Sequence, residues 1–379
     1  MMRLLLLLVT TTATTDMSTT TLHRYAEALR GHHVPDMSAH LAQMGNHSAC
    51  LLHLTQWHEH GQWHKLAHVL AHASRPAVMV LASCAQLVLL HNFLCSVKNL
   101  PAHDALLRHV VIWSADACTD DFVLRHWPEV AVSMVNASTW FATAQRADAP
   151  FKSAQYAAYA TLKAFMPLAA ATLGFTALTQ DVDIVWRRNA IEYLANISTG
   201  RETLMMVEAG QRYKKVKSCF DNLGPGLIYT QPTRESRQIL GAWFDQCPEM
   251  ETRRANAPFF QSAARNLSSC GYDGQESTGS KPHILIFQPT HMVCGQRVDS
   301  RGHIIKDIQL DNPSSWKINL SRSAVTVHAN HNSGGWAAKC AFLKANGVLY
   351  LRAASGDPCQ TCHLEFCKCR ELGGGIRYG

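Results

Sequence analysis

Between Pro76 and Trp186, apolar runs of strand length alternate with longer stretches of helical spacing, and this alternation limits the possible folds more than any other feature. Ala77 to Ala82 ends at Ser83-Cys84 and reads as a buried strand. Residues 84–99 read as a helix. Val110 to Trp113 is a second strand, ending at Ser114-Ala115-Asp116, and Val130 to Val135 is a third. Residues 152–173 carry the spacing of a long helix, with Gly174 as its C-cap. Phe175 to Leu178 then leads as a strand into Asp181. Such alternation predicts an α/β domain with a mostly parallel central sheet flanked by helices. Ligands of these sheets bind beyond the carboxyl ends of the strands, where Ser83 and Asp181 both fall.

The second half is less regular. Gly224-Pro225-Gly226 precedes a strand over Leu227 to Thr230, and Thr233 is placed to cap a helix running to about Phe244. Residues 270–281 are rich in Gly and Ser and read as a loop. Ala324 to Val327 is expected as the last strand, followed by His328-Ala329-Asn330 and Gly334-Gly335. No internal repeat is visible. A chain of 379 residues that is 47% hydrophobic can bury a sizeable core in one large or two modest domains.

The net charge of +7 is spread over scattered Lys and Arg, with only short runs such as Arg212 to Lys217. A solvated basic face explains this pattern, and no nucleic-acid partner is expected. Upstream of the α/β pattern, residues 21–75 form a His-rich helical extension. Here His60, His64, His68 and His72 fall four apart on one helix face. Metal binding would use such a stripe, but a solvated His face is the default reading.

The first residues, Met1-Met2-Arg3 and then Leu4 to Val9, are too short an apolar run for a membrane span of about 20 residues. Residues 1–20 read as a secretory signal or a weak signal anchor, which leaves a membrane tether possible. Sequons at Asn46, Asn136, Asn196, Asn266 and Asn319 point the same way. The 13 Cys include a C-terminal cluster, Cys359, Cys362, Cys367 and Cys369, within a tail over 346–379. Zinc and disulfides both fit it; a secretory start favours disulfides.

The chemistry concentrates in Asp181-Val182-Asp183-Ile184-Val185-Trp186. In an extended segment, i and i+2 share a side, so Asp181 and Asp183 are expected to face one point and hold one hard divalent cation. Mg²⁺ or Mn²⁺ there would neutralise a leaving diphosphate. A second constellation runs from His328 to Lys339. His328 can complete the metal shell, Gly334 and Gly335 allow close backbone approach, and Lys339 can pair with a phosphate.

The stretch from Lys163 through Leu173-Gly174-Phe175 to the Asp181–Trp186 motif resembles the nucleotide-diphospho-sugar transferase family GT77. Its plant members include xylosyl- and arabinosyltransferases of wall polymers and glycoproteins. Supporting blocks are Asn92-Phe93-Leu94-Cys95-Ser96-Val97, Gly226-Leu227-Ile228-Tyr229 with Pro232-Thr233, and His328-Ala329-Asn330. The resemblance spans roughly 77–345, inside an expected domain over 76–345. It implies a GT-A fold and retaining transfer of a pentose or galactose from a nucleotide-sugar, with UDP as the expected carrier, to a glycan or glycoprotein. It also implies Mn²⁺ or Mg²⁺ and a place in the Golgi lumen. By position, Asp181, Asp183 and His328 would hold the metal. Lys163 matches a basic residue of the family, and Ala82, Ser83 and Asp116 lie where the nucleoside would rest.

The chain departs from the family at Gly224, where an Asn is usual (Asn222 lies nearby), and at Asn256-Ala257-Pro258, where an Asp-Gln pair is common. Asp245-Gln246 occurs earlier than that pair. Catalytic and acceptor-binding residues therefore stay unassigned. Two other readings use the same residues. A D-x-D phosphatase would make Asp181 a nucleophile, but that motif belongs on a first strand near the domain start. A non-catalytic sugar-nucleotide-binding protein would keep the fold and lose turnover.

Overall fold

The structure is a computed structural model. It describes residues 62–134, 154–198, 202–208, 219–246, 257–272, 282–286, 292–294, 320, 322–329, 335–353 and 367–369. The first described element is helix α1 (Gln62–His72), which buries Leu66 and Leu70 and leaves His64 and His72 exposed. His60 lies outside the described residues.

Strand β1 (Ala77–Ala82) is buried along its whole length. A short 3-10 turn and helix α2 (Leu87–Lys98) follow, then helix α3 (His103–Leu107) and strand β2 (Val110–Ser114). Helix α4 (Ala117–His126) leads to β3 (Ala131–Met134), and helix α5 (Ala154–Thr172) to β4 (Ala177–Gln180). Next come β5 (Ile184–Trp186), helix α6 (Ala190–Ile197), β6 (Glu202–Glu208) and β7 (Leu223–Thr230). Helices α7 (Arg234–Phe244) and α8 (Ala257–Leu267) precede the short strands β8 (Ser269–Tyr272), β9 (His283–Ile286) and β10 (Met292–Cys294). Strand β11 (Thr326–His328), helix α9 (Gly335–Ala345) and strands β12 (Leu351–Ala353) and β13 (Cys367–Cys369) complete the described elements.

The main sheet has the order β3-β2-β1-β4-β7-β6-β9-β8. Strands β3, β2, β1 and β4 are parallel to one another, as are β6, β9 and β8; only β7, between β4 and β6, runs antiparallel to both its neighbours. The expected mostly parallel central sheet is therefore present, with one reversed strand at its middle. Strand β1 is paired on both edges and its alternating side chains are buried on both faces of the sheet, which explains its continuous apolar run. The register sets Ala82 beside Ser114 and Val80 beside Gln180. Ser83, Asp116 and Asp181 thus all leave one edge of the sheet.

A second sheet, β10-β11-β5, places β11 antiparallel to β5, with His328 opposite Ile184. It shares one apolar core with helix α2, where Phe93 meets Trp186 edge-on at 5.9 Å between ring centroids. Buried Asn92 accepts from the Tyr350 N–H at 2.6 Å and donates to the Val348 carbonyl at 3.3 Å, tying 348–350 to the same core.

Several boundaries differ from the sequence expectations. The helix expected over 84–99 begins as a 3-10 turn, Cys84–Gln86, before α2. The strand before Asp181 is Ala177–Gln180 and not Phe175 to Leu178, because the chain first reverses at Gly174, with φ of +82°. Strand β7 begins at Leu223, so Gly224-Pro225-Gly226 lies inside a strand. The strand expected as the last is followed by β12 and β13, which pair with each other. Among the described residues, no helix is long and apolar enough to cross a membrane. Residues 1–20, Gly334, Cys359 and Cys362 lie outside them.

Candidate metal and donor site

The acidic pair sits in a turn between β4 and β5, not in an extended strand. The Ile184 N–H donates to the Asp181 carbonyl at 3.1 Å and closes that turn. The carboxylates therefore converge because the chain folds back, and period-two alternation is not the reason. Apolar Val182 and Ile184 anchor the turn in the core. Gln180 braces it from below: its Oε1 accepts from Trp186 Nε1 at 2.8 Å, and its Nε2 donates to the Ile184 carbonyl at 3.4 Å. The Trp186 N–H in turn donates to Ser96 Oγ at 3.0 Å. Trp186 thus serves as a fastener of the acidic turn.

Pairing of β11 with β5 delivers His328 to this turn, and the Ala329 N–H donates to the Asp183 carbonyl at 3.1 Å. His328 Nε2 lies 3.3 Å from Asp181 Oδ2 and 3.2 Å from Asp183 Oδ1. Two lysines flank the pair. Lys163, from α5, ion-pairs with Asp181, and Lys339 Nζ, from α9, donates to Asp183 Oδ2 at 2.7 Å. The Asp183 side chain is only 2% exposed and that of Asp181 21%.

Burial by itself would raise both carboxyl pKa values. For Asp183, Lys339 and then His328 outweigh it and hold the group well below the usual carboxylate range. For Asp181, Lys163 and His328 do the same, against opposition from Asp183. Burial pulls the Lys339 pKa down, but Asp183 more than compensates and raises it. Both carboxylates are therefore ionised at neutral pH and available as hard ligands.

Asp181, Asp183 and His328 each offer one ligand atom, all within 4.8 Å of one another. Adjacent ligands on an octahedral cation with bonds of about 2.0–2.1 Å are about 3 Å apart. The 3.2 and 3.3 Å separations at His328 Nε2 match that spacing. Two carboxylate oxygens with one imidazole suit Mn²⁺, and Mg²⁺ less well because of the nitrogen. The residues present fit the expected metal.

Other expected site residues fall along the same sheet edge. Asp116 caps α4: its Oδ1 accepts from the Thr119 N–H at 2.9 Å, and its Oδ2 from the Cys84 N–H at 2.8 Å. Cys84 and Cys118 form a disulfide across the same two loops. Ser83 Oγ lies 3.3 Å from Gln86 Oε1. Ala82 ends β1, and Tyr159 Oη donates to the Leu81 carbonyl at 2.8 Å just before it. Gly335 opens α9, which carries Lys339. Asp245 and Gln246 follow α7, where Gln246 Nε2 donates to the Ala242 carbonyl at 2.9 Å.

Sequence reasoning missed two features. Lys163 and Lys339 each lie directly on one carboxylate; the sequence carries no mark of that pairing, since Lys339 is 156 residues from Asp183. The closeness of Gly226 to His328 was also hidden, although a Gly inside a strand pattern is itself a hint of close approach. On α1, the rings of His68 and His72 meet at a tilt of 54° with centroids 4.2 Å apart, and His72 Nδ1 lies 2.8 Å from the His68 carbonyl. Among the described residues, only Asp181, Asp183 and His328 group as metal ligands.

The sequence profile of a family described as nucleotide-diphospho-sugar transferase matches residues 105–343, a span that holds all five residues of this cluster. No curated protein matches the chain. Among solved structures, mouse xyloside xylosyltransferase 1 in its apo form is similar at a TM-score of 0.40 and 11% identity, over 68% of this chain and 98% of that one. The apo structure of the bifunctional glycosyltransferase WbbM is similar at 0.40 and 10%, over 72% of this chain and 50% of that one.

Proposed function

Because the chain belongs to the nucleotide-diphospho-sugar transferase family and is a glycosyltransferase, we propose that it moves a pentose or galactose from a UDP-sugar to a glycan or glycoprotein acceptor, with retention and with Mn²⁺ or Mg²⁺. The observation that carries this reading is the convergence of Asp181, Asp183 and His328 at the carboxyl edge of the parallel strands, inside the matched span. When bound there, the cation supplies positive charge to the diphosphate as it leaves.

The chain's own residues do the rest. Asp181, Asp183 and His328 hold the ion. Lys163 and Lys339 add two fixed cationic groups beside the diphosphate. The amino end of α9, at Gly335, offers backbone N–H groups to an anion. Ala82, Ser83 and Asp116 take the nucleoside at the ends of β1 and β2. The bond from the anomeric carbon to the diphosphate oxygen breaks, the acceptor oxygen bonds to that carbon from the same face, and the acceptor proton leaves with the diphosphate. Resemblance of the Asp181–Trp186 stretch to GT77 supports retention and the sugar class.

The disulfides Cys84–Cys118 and Cys219–Cys270, with further disulfide-bonded Cys95 and Cys340, support a place in an oxidising compartment, the secretory pathway and its Golgi lumen. A membrane tether would lie in residues 1–20. The test is UDP release from a panel of UDP-sugars with Mn²⁺. Turnover should vanish in Asp181→Ala and on adding EDTA. Full activity in either condition would sink the reading.

A further inference from the structure

We infer that Gly226 is a positioning residue for His328: its missing side chain is the space in which the imidazole edge sits. The inference rests on the reading of Asp181, Asp183 and His328 as a cation site. Gly226 lies within β7, and its carbonyl accepts the Asp181 N–H at 2.7 Å. A Cβ on this residue would fall 2.5 Å from His328 Cε1, 3.0 Å from His328 Nδ1 and 3.3 Å from Asp181 Oδ2. Optimal carbon–carbon contact is about 3.5–4.0 Å, so the first of these distances is a hard overlap.

Neither partner can give way cheaply. Strand β7 is held by β4 up to Leu227 and by the Asp181 N–H on the Gly226 carbonyl, while β6 pairs with it at Gly224 and Ile228, on either side of an irregularity that spans Gly226. His328 is held by β5 and β10 through β11, and its ring is buried. The Gly226 φ is not in the left-handed region, whereas those of Gly174 and Gly347 are. What glycine supplies at 226 is therefore room and not backbone freedom. With a methyl group there, the imidazole must swing away from the β7 backbone, and Nε2 must leave its position 3.2–3.3 Å from both carboxylates. Gly226 thereby sets where the third ligand points, without touching the ion or the substrate.

The test is a double-mutant cycle on the full chain, with wild type, Gly226→Ala, His328→Ala and the double variant. Bound Mn²⁺ is read by electron paramagnetic resonance in the presence of UDP, and folding by thermal midpoint. Gly226→Ala should weaken Mn²⁺ binding by at least about tenfold, as loss of an orienting neighbour does in metal sites, and should lower the midpoint. In the His328→Ala background, the same substitution should lower the midpoint much less, because the hard overlap with the imidazole is gone and only the 3.3 Å approach to Asp181 Oδ2 remains. Unaltered Mn²⁺ binding in Gly226→Ala, or an equal midpoint loss in both backgrounds, overturns the inference. If Gly226→Ala does not fold, a folded double variant supports it and an unfolded one overturns it. If wild type binds no Mn²⁺ at all, the cation reading fails, and the midpoints alone still decide whether Gly226 makes room for His328.

Discussion

The edge proposed for the nucleoside, at the ends of β1 and β2, and the acidic turn leave the same side of one sheet, yet they are built in opposite ways. At the ends of β1 and β2, Cys84, Asp116 and Thr119 are joined by loop hydrogen bonds and by the exposed Cys84–Cys118 disulfide, and Ser83 bonds to Gln86. Two of these links cross between loops 32 and 34 residues apart, but each is partly wet, so each can be lost separately. The turn after β4 is buried and unites α5, β4, β7, β11 and α9 on two carboxylates. Its charges balance only as a set, so removing one member strands the others. The edge should therefore fail by degrees, and the turn as a unit.

The largest expected effect comes from Asp183→Ala. Turnover should fall by at least about a thousandfold, as for loss of a principal transition-state charge partner. Stability should fall by about 3 kcal/mol, because His328 and Lys339 lose a buried counter-charge. Asp181→Ala should abolish turnover equally while lowering the thermal midpoint less, since its side chain is the more exposed. Equal midpoints for the two variants would break the contrast between a buried and a half-buried ligand.

Next comes an acid limb that belongs to the helices under the nucleoside edge. His91, on α2, is buried against Phe122 and Trp127. Burial, then His126 and Lys98, push its pKa from 6.5 down to about 4. The folded state thus prefers the neutral ring. Its stability is full above pH 6.5 and is lost as pH falls towards 4, by about 3 kcal/mol in total. The carboxylates of Asp181 and Asp183, whose pKa values are depressed, act in the range below, under the ordinary carboxylate pKa of about 4. Denaturant titrations of His91→Leu should show a shallower profile between pH 6.5 and 4, the remaining slope coming from His68 and His283, which burial also holds below 6.5, with the lower limb intact.

Smaller still is the disulfide. Replacing Cys84 and Cys118 by Ser should cost about 2 kcal/mol and raise the donor KM several-fold with little change in kcat. A fall in kcat with KM unchanged would show that the staple serves the acidic turn instead. The smallest effect is for Asp116→Ala. Loss of the α4 cap should cost about 1 kcal/mol by thermal melting and raise the donor KM less than loss of the disulfide does.

Much of the fold was legible because its cause is local. The buried run of β1, the Thr233 cap on α7 and the Gly174 stop after α5 each follow from a short window. Asp181 and Asp183 were legible as a pair, but not the turn that joins them, since a short D-x-D segment suits a strand and a turn alike. The reversed strand β7 was hidden for a different reason: strand direction is a property of the connection, and the segment from 209 to 218 before it carries no pattern of its own.

The sequence by itself determined the alternation that makes a parallel sheet, the acidic residues at the end of one of its strands, and a later histidine and lysine able to serve the same ion and phosphate. Local spacing is enough for these, because side-chain period and residue chemistry act over a few positions. Only the tertiary structure decided that Lys163 and Lys339 sit on the carboxylates, that β11 brings His328 between them, and that Gly226 leaves the room for it. Those are contacts across distant segments, set by strand pairing and core packing, and no short window of the chain contains them.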